Sequence, residues 1–195
     1  MVDDSRVYGD ERFIFHMGNE YNAPHENNIY DGYIIANEEK VVFERRTVLN
    51  GRISVIMPEA YVVMPQELAE IKYPSKMRPD EIYTNEDTTI NFTLSHKNDK
   101  AANEDIPKVK DIIQKAVMRM HSGSRVIDSS SMEASGINIA YFDFCSPALD
   151  MDLYNMMFFL SVDMRIVVGA FNCPQESMDT WKPVIEQMLG SVEMC

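Results

Sequence analysis

The sequence predicts an α+β domain, an antiparallel β-sheet covered by two main α-helices. Three observations carry this. Between Ile137 and Cys173, the apolar runs INIAYFDFC, LYNMMFFLSV and IVVGAFNC are separated by short polar breaks, the pattern of consecutive strands in one sheet. Two stretches carry apolar residues at helical spacing: Ile106, Val109, Ile112, Ile113, Ala116, Val117 and Met120, then Met178, Trp181, Val184, Ile185, Met188 and Leu189. The earlier strands come as hairpins, which makes their neighbours antiparallel. A sheet with an apolar face needs a cover, and a helix with one apolar stripe supplies it.

Along the chain, residues 1–40 read as a partly ordered N-terminal arm and 41–195 as a single α+β domain. The arm carries nine acidic and three basic side chains and no sustained period. Within it, Arg12 to Met17 and Ile29 to Ala36 have strand-like composition, and Asn22 to Asn28 is loop chemistry. Val41 to Val48 is a strand, and Asn50-Gly51 is the strongest hairpin signal present. Arg52 to Met57 is the return strand, ended by Pro58. Pro65 to Tyr73 suits a short helix with proline in its first turn. Glu81 to Thr84 is a short strand and Asn85 to Asp87 a turn. Thr88 to His96 alternates, with Ile90, Phe92 and Leu94 opposed to Asn91, Thr93 and Ser95, as in a half-buried strand. Asp105 is placed to cap the 106–120 helix, with Pro107 in its first turn. Arg125 to Ser131 is a strand, and Ala134-Ser135-Gly136 turns the chain. Gly190 is placed to stop the last helix.

Length and composition bound the function. The chain has 195 residues, enough for one domain, and is 45% hydrophobic, enough for a core without staples. Its net charge of −13 opposes binding to nucleic acid, which needs a basic face, and docking on anionic lipid. The same charge favours a protein partner of basic character. The acidic opening MVDDSRVYGDERF shows no secretory signal, and no apolar run reaches the length of a membrane helix. With three widely spaced cysteines, Cys145, Cys173 and Cys195, this leads to the expectation of a cytoplasmic protein with unpaired thiols. Fifteen methionines read as adaptable core filler.

Several short motifs resemble one known fold. Ile53 to Glu59 (ISVIMPE), Val126 to Gly136 leading into Ile137 to Phe144, Tyr154 to Phe171, Trp181 and the closing Gly190-Ser191-Val192 are similar to the PsbP-like superfamily. That superfamily is shared by the PsbP subunit of photosystem II, the Ran-binding nucleotide-release factor and bacterial DcrB-like proteins. The resemblance covers Val41 to Cys195 and implies a PsbP-like α/β sandwich. It also implies a binding protein, accessory subunit or chaperone, and offers no catalytic residue to carry over.

The candidate chemistry is sparse. Asp150-Met151-Asp152, with Asp143 the nearest further acid, has the carboxylate pairing of a divalent-cation site, but a D-x-D between strands is far more often a solvated turn. Cys145 and Cys173 near strand ends, with His96 or His121, lack the close ligand spacing of zinc motifs and read as buried thiols. No nucleophile elbow or phosphate-binding glycine loop occurs, and His16 and His25 fall in the arm. No catalytic residue, metal or cofactor is expected. Trp181 reads as a core residue. The one anomaly is Lys72 to Arg78, a basic island in an acidic chain. Lys72, Tyr73, Lys76, Met77, Arg78 and Tyr83 combine the tyrosine, apolar and cationic chemistry of protein-binding surfaces, although an exposed connecting loop explains each separately. The leading expectation is a non-enzymatic cytoplasmic protein-binding module, such as an adaptor, chaperone or immunity-type protein. The alternative is a small-molecule binder or hydrolase with a cleft between sheet and helices.

Overall fold

The computed structural model describes residues 27–120, 123–148 and 151–195. A single 3-10 turn (Ile29–Asp31) leads into β1 (Tyr33–Ala36), β2 (Glu39–Val48), β3 (Ile53–Pro58) and β4 (Val62–Val63). Then come α1 (Gln66–Lys72), β5 (Glu81–Thr84), β6 (Asn91–Lys100) and α2 (Ile106–Met120). The meander β7 (Val126–Ala134), β8 (Ile137–Pro147), β9 (Asp152–Val162) and β10 (Arg165–Pro174) follows, and α3 (Met178–Gly190) and β11 (Glu193–Met194) end the chain. Every strand pair is antiparallel, in a seven-stranded sheet of order β4-β5-β6-β10-β9-β8-β7 and a four-stranded sheet of order β1-β2-β3-β11. The fold is the expected α+β antiparallel sandwich.

Side-chain alternation sorts the large sheet into two faces. Ile139 and Tyr141 of β8, Tyr154, Met156, Phe158 and Leu160 of β9, and Val167, Phe171 and Cys173 of β10 share a core with Trp181, Val184, Ile185, Met188 and Leu189 of α3. The small sheet joins that core through Ile34, Phe43, Ile53, Val55 and Met57. The opposite rows, Ala140, Phe142 and Phe144 of β8 and Phe159 of β9, pack against α2. A third cluster places Ala69 of α1 with Met64 and Ile82. The large sheet therefore has α2 on one face and α3 with the small sheet on the other.

Four sequence expectations need correction. Ile29–Ala36 is not one strand: the Asn28 side chain accepts from the Tyr30 N–H and Gly32 takes φ 83, so a 3-10 turn precedes the four-residue strand. The 88–96 strand starts at Asn91, continues to Lys100 and is not half-solvated. Asn91, Thr93 and Ser95 are all buried, with Asn91 Nδ2 donating to Asn172 Oδ1 (2.9 Å) and Thr93 Oγ1 to the Ala170 carbonyl (3.3 Å). Asp105 makes no cap: it ends a 3-10 turn that runs directly into α2, and its carboxylate pairs with Lys108 at 2.9 Å. In α2 the packed stripe is narrower than the periodicity suggests. Ile106 and Val117 are buried, but Ile112 and Met120 are exposed; Lys110 is buried on the same side as Ile106 and Val117, its Nζ 2.7 Å from Ser129 Oγ on β7. The expected strand at 12–17 and most of the 22–28 loop lie outside the described residues.

Candidate functional site

The basic island does not assemble as one surface. Lys72 ends α1, and its Nζ donates to the Thr88 carbonyl and hydroxyl. Burial raises the Tyr73 hydroxyl's pKa, partly offset by the Asn172 side chain on the large sheet. Arg78 turns back, donating from Nε to the Tyr73 carbonyl (2.9 Å) and approaching Glu70 at 3.9 Å. Tyr83 is buried in the core, its hydroxyl donating to Glu81 Oε2 at 2.8 Å. Lys76 and Met77 are exposed at the tip, Met77 at 78%, and Lys72 is exposed as well.

The metal and thiol candidates resolve differently. Asp150 lies outside the described residues, and Asp152 is the first, exposed residue of β9. Asp143 is fully buried on the α3 side of β8. Its Oδ2 takes a hydrogen bond from Tyr154 Oη (2.8 Å) and an ion pair from Lys182 Nζ (2.9 Å), and its Oδ1 takes the Asp128 N–H (2.6 Å). Burial pulls the Lys182 ammonium down, but the bond and charge of Asp143, with Asp128 and Glu186 nearby, outweigh it and leave its pKa raised. Cys145 and Cys173 are both register partners of Tyr154, so a whole strand stands between them. Two strand spacings, about 10 Å, exceed the reach of a disulfide. Burial, with the other thiol's charge, pushes Cys173 up to about 12, which makes it a core thiol rather than a nucleophile. His96 has Nε2 3.1 Å from the Val162 carbonyl; His121, His16 and His25 are outside the described residues. Among the described residues no three His, Cys, Asp or Glu side chains are grouped to hold a metal.

What the sequence did not reveal is a cleft of about 1070 Å³ between the small sheet, the 85–90 turn and the start of α3. Five carboxylates line it, Glu39, Glu59, Glu86, Asp87 and Glu176, all exposed. Among the described residues Lys40 is the one cation in its lining, 4.3 Å over the Tyr33 ring, and the charge of Lys72 acts on Asp87 from beside it. Tyr61 and Trp181, each 3% exposed, form part of its wall, and Trp181 leans on Phe171 with ring centroids 5.8 Å apart. The Tyr61 hydroxyl is buried with no hydrogen-bond partner among the described residues; burial first, then the nearby Cys173, pushes its pKa well above the usual phenol value. The Thr89 hydroxyl (2.7 Å) and N–H (3.0 Å) both donate to Asp87 Oδ1 and hold that carboxyl below the usual range against the opposing effect of burial. The cleft draws on five separate stretches of the sequence, 36–42, 58–61, 85–90, Met151 and 174–181. Its only local sign was the acidity of the chain as a whole.

No family model matches this sequence, and no curated protein is similar to it by sequence. Solved structures do share its fold. Cyanobacterial PsbP (CyanoP) from Synechocystis aligns with a TM-score of 0.57 at 12% identity, over 78% of this chain and 92% of that one. LpqN of Mycobacterium tuberculosis, involved in cell envelope biogenesis, aligns with a TM-score of 0.50 at 9% identity, over 79% of this chain and 91% of that one. At such identities the likeness is one of fold, and the fold of this chain is PsbP-like.

Proposed function

We propose that this chain is a non-enzymatic binding module that holds a basic segment of a partner protein in its acidic cleft. The observation that carries the reading is the lining: among the described residues, five exposed carboxylates against one lysine already stacked on Tyr33. Such a wall concentrates field on the cleft and draws cationic groups into it. At about 1070 Å³ the space is at the upper end of small-molecule pockets and suits an extended peptide. Catalysis is less well supported. Among the described residues the cleft lining holds no histidine, and the Asp87 carboxyl is moved toward the charged form rather than toward neutrality.

Trp181, the single tryptophan, lies in the cleft wall and reports occupancy by its fluorescence. Titration with lysine- and arginine-rich peptides should change that signal, whereas acidic peptides of equal length should not. The double variant Glu59→Lys, Glu86→Lys should abolish the response with the fold intact. Equal binding of basic and acidic peptides, or an unaffected double variant, overturns the proposal.

A further inference from the structure

Among the described residues three of the four sheet edges are short: β4 and β11 have two residues each and β1 has four. The fourth, β7, runs for nine residues, and among the described residues its only strand neighbour is β8. Folded proteins keep unpaired edges short or obstructed, because exposed N–H and C=O groups template further pairing. β7 is weakly obstructed: it holds no proline and no lysine, and its centre is Ser129-Ser130-Ser131. One irregularity in its pairing, between Val126 and Asp128, is confined to its start.

The hairpin identifies which backbone groups face outward. Ser135 and Gly136 have φ 50 and 79, a two-residue turn with both central residues left-handed, so Ala134 and Ile137 exchange hydrogen bonds. Alternation then turns the N–H and C=O of Ser129, Ser131 and Glu133 away from β8. The Ser129 N–H is taken by Asp128 Oδ1 at 2.7 Å; the other five groups have no protein partner among the described residues.

We infer that β7 is a self-association edge, on which a second copy of this chain pairs antiparallel about a two-fold axis at Ser131. In this register Ser131 faces its own copy and Glu133 faces Ser129. Four hydrogen bonds form without displacing Asp128: two between the serines at 131, and one from each Glu133 N–H to the opposing Ser129 carbonyl. The same register places Asp128 opposite Ala134 and Ser130 opposite Met132, so no like charges meet across the ladder. Small side chains at the centre let the backbones approach. The opposing force is long-range, between two molecules of net charge −13. It is screened by salt, so this dimer strengthens as ionic strength rises.

The experiment is sedimentation velocity on the full chain across concentration at low and high salt, with Ser131→Pro alongside. The outward N–H of Ser131 makes no ladder bond to β8, so proline there is compatible with an edge strand. Ser131→Pro should weaken the dimer about tenfold or more, by removing the central hydrogen bonds. Hydrogen exchange of the wild type supplies a readout that does not depend on the variant folding: the Ser131 and Glu133 amides should gain protection as protein concentration rises. A chain that stays monomeric, a dimer indifferent to Ser131→Pro, or amides protected equally at every concentration (which would mean another part of the chain covers the edge) each overturns the inference.

Discussion

Gly169 shows how a single missing side chain organises a sheet. It is paired with Phe158 across β10 and β9, and a Cβ built on it would collide with the Phe158 ring. That ring is 1% exposed and stacked on Phe92 at 5.3 Å, so it has no room to yield. Gly169→Ala is expected to destabilise by about 1–3 kcal/mol in urea unfolding, the usual cost of overpacking a core; an unchanged midpoint would show that the aromatic stack is loose. This was legible in principle, since a glycine inside an apolar strand marks a close approach. Asp143 was equally visible on an inward row, between Tyr141 and Cys145, where a carboxylate requires a partner. That the partner is Lys182 was not legible, because it arrives from a helix 39 positions away. Lys182→Met leaves Asp143 buried without its counter-ion and is expected to cost about 3–5 kcal/mol. The ammonium is raised in the folded state, so its contribution is present below the ordinary lysine value and is lost as pH climbs through the raised one. Cys173 acts in the same direction between its ordinary 9.0 and about 12. Stability measured against pH should therefore fall on the alkaline side from about pH 9, with the lysine step absent in Lys182→Met.

The two main helices show where periodicity informs and where it misleads. In α3 the predicted face is the observed one: Trp181, Val184, Ile185, Met188 and Leu189 are all at 3% exposure or less. In α2 the periodic set is too generous, because spacing gives the arc of apolar residues and not the part of that arc the sheet reaches. Trp181→Ala should cost about 3–5 kcal/mol, and Ile106→Ala about 2–5 kcal/mol. Ile112→Ser, at 69% exposure, should stay within about 0.5 kcal/mol of wild type. Thermal melts of the three variants decide the matter; a large loss at Ile112 would mean that α2 is covered by something in solution. Turns divided in the same way. Asn50-Gly51 announced the β2–β3 connection. The β9–β10 turn at Asp163-Met164 and the β1–β2 turn at Asn37-Glu38 also take positive φ but contain no glycine. Such left-handed residues are held by the hairpin around them rather than by their own preference, so β1 could not be recognised as the partner of β2 in advance.

At the scale of the molecule, the layered class followed from local pattern, but the pairing of β3 with the terminal β11 and the placing of β6 beside β10 are contacts between distant stretches that no local pattern encodes. The acidic cleft depends on such distant contacts: the pairing of Asn91 with Asn172 sets the 85–90 turn beside the stretch that carries Glu176, and Glu39 and Glu59 of the small-sheet region line the same space. Its charge should then appear in kinetics before it appears in affinity. Long-range attraction acts on the encounter, so the association rate of a basic peptide should drop steeply with salt while its dissociation rate changes little. Acid supplies an independent control. The two Thr89 donors hold the Asp87 carboxyl below the usual range, which keeps it charged as pH falls. Thr89→Val removes the hydroxyl donor and should move the loss of peptide binding to higher pH, with the neutral-pH association rate nearly unchanged. Stopped-flow Trp181 fluorescence measures both. An acid limb that stays in place in Thr89→Val would mean that the peptide is not held at the Asp87 side of the cleft, and a salt-independent association rate would mean that it is not drawn in by charge at all.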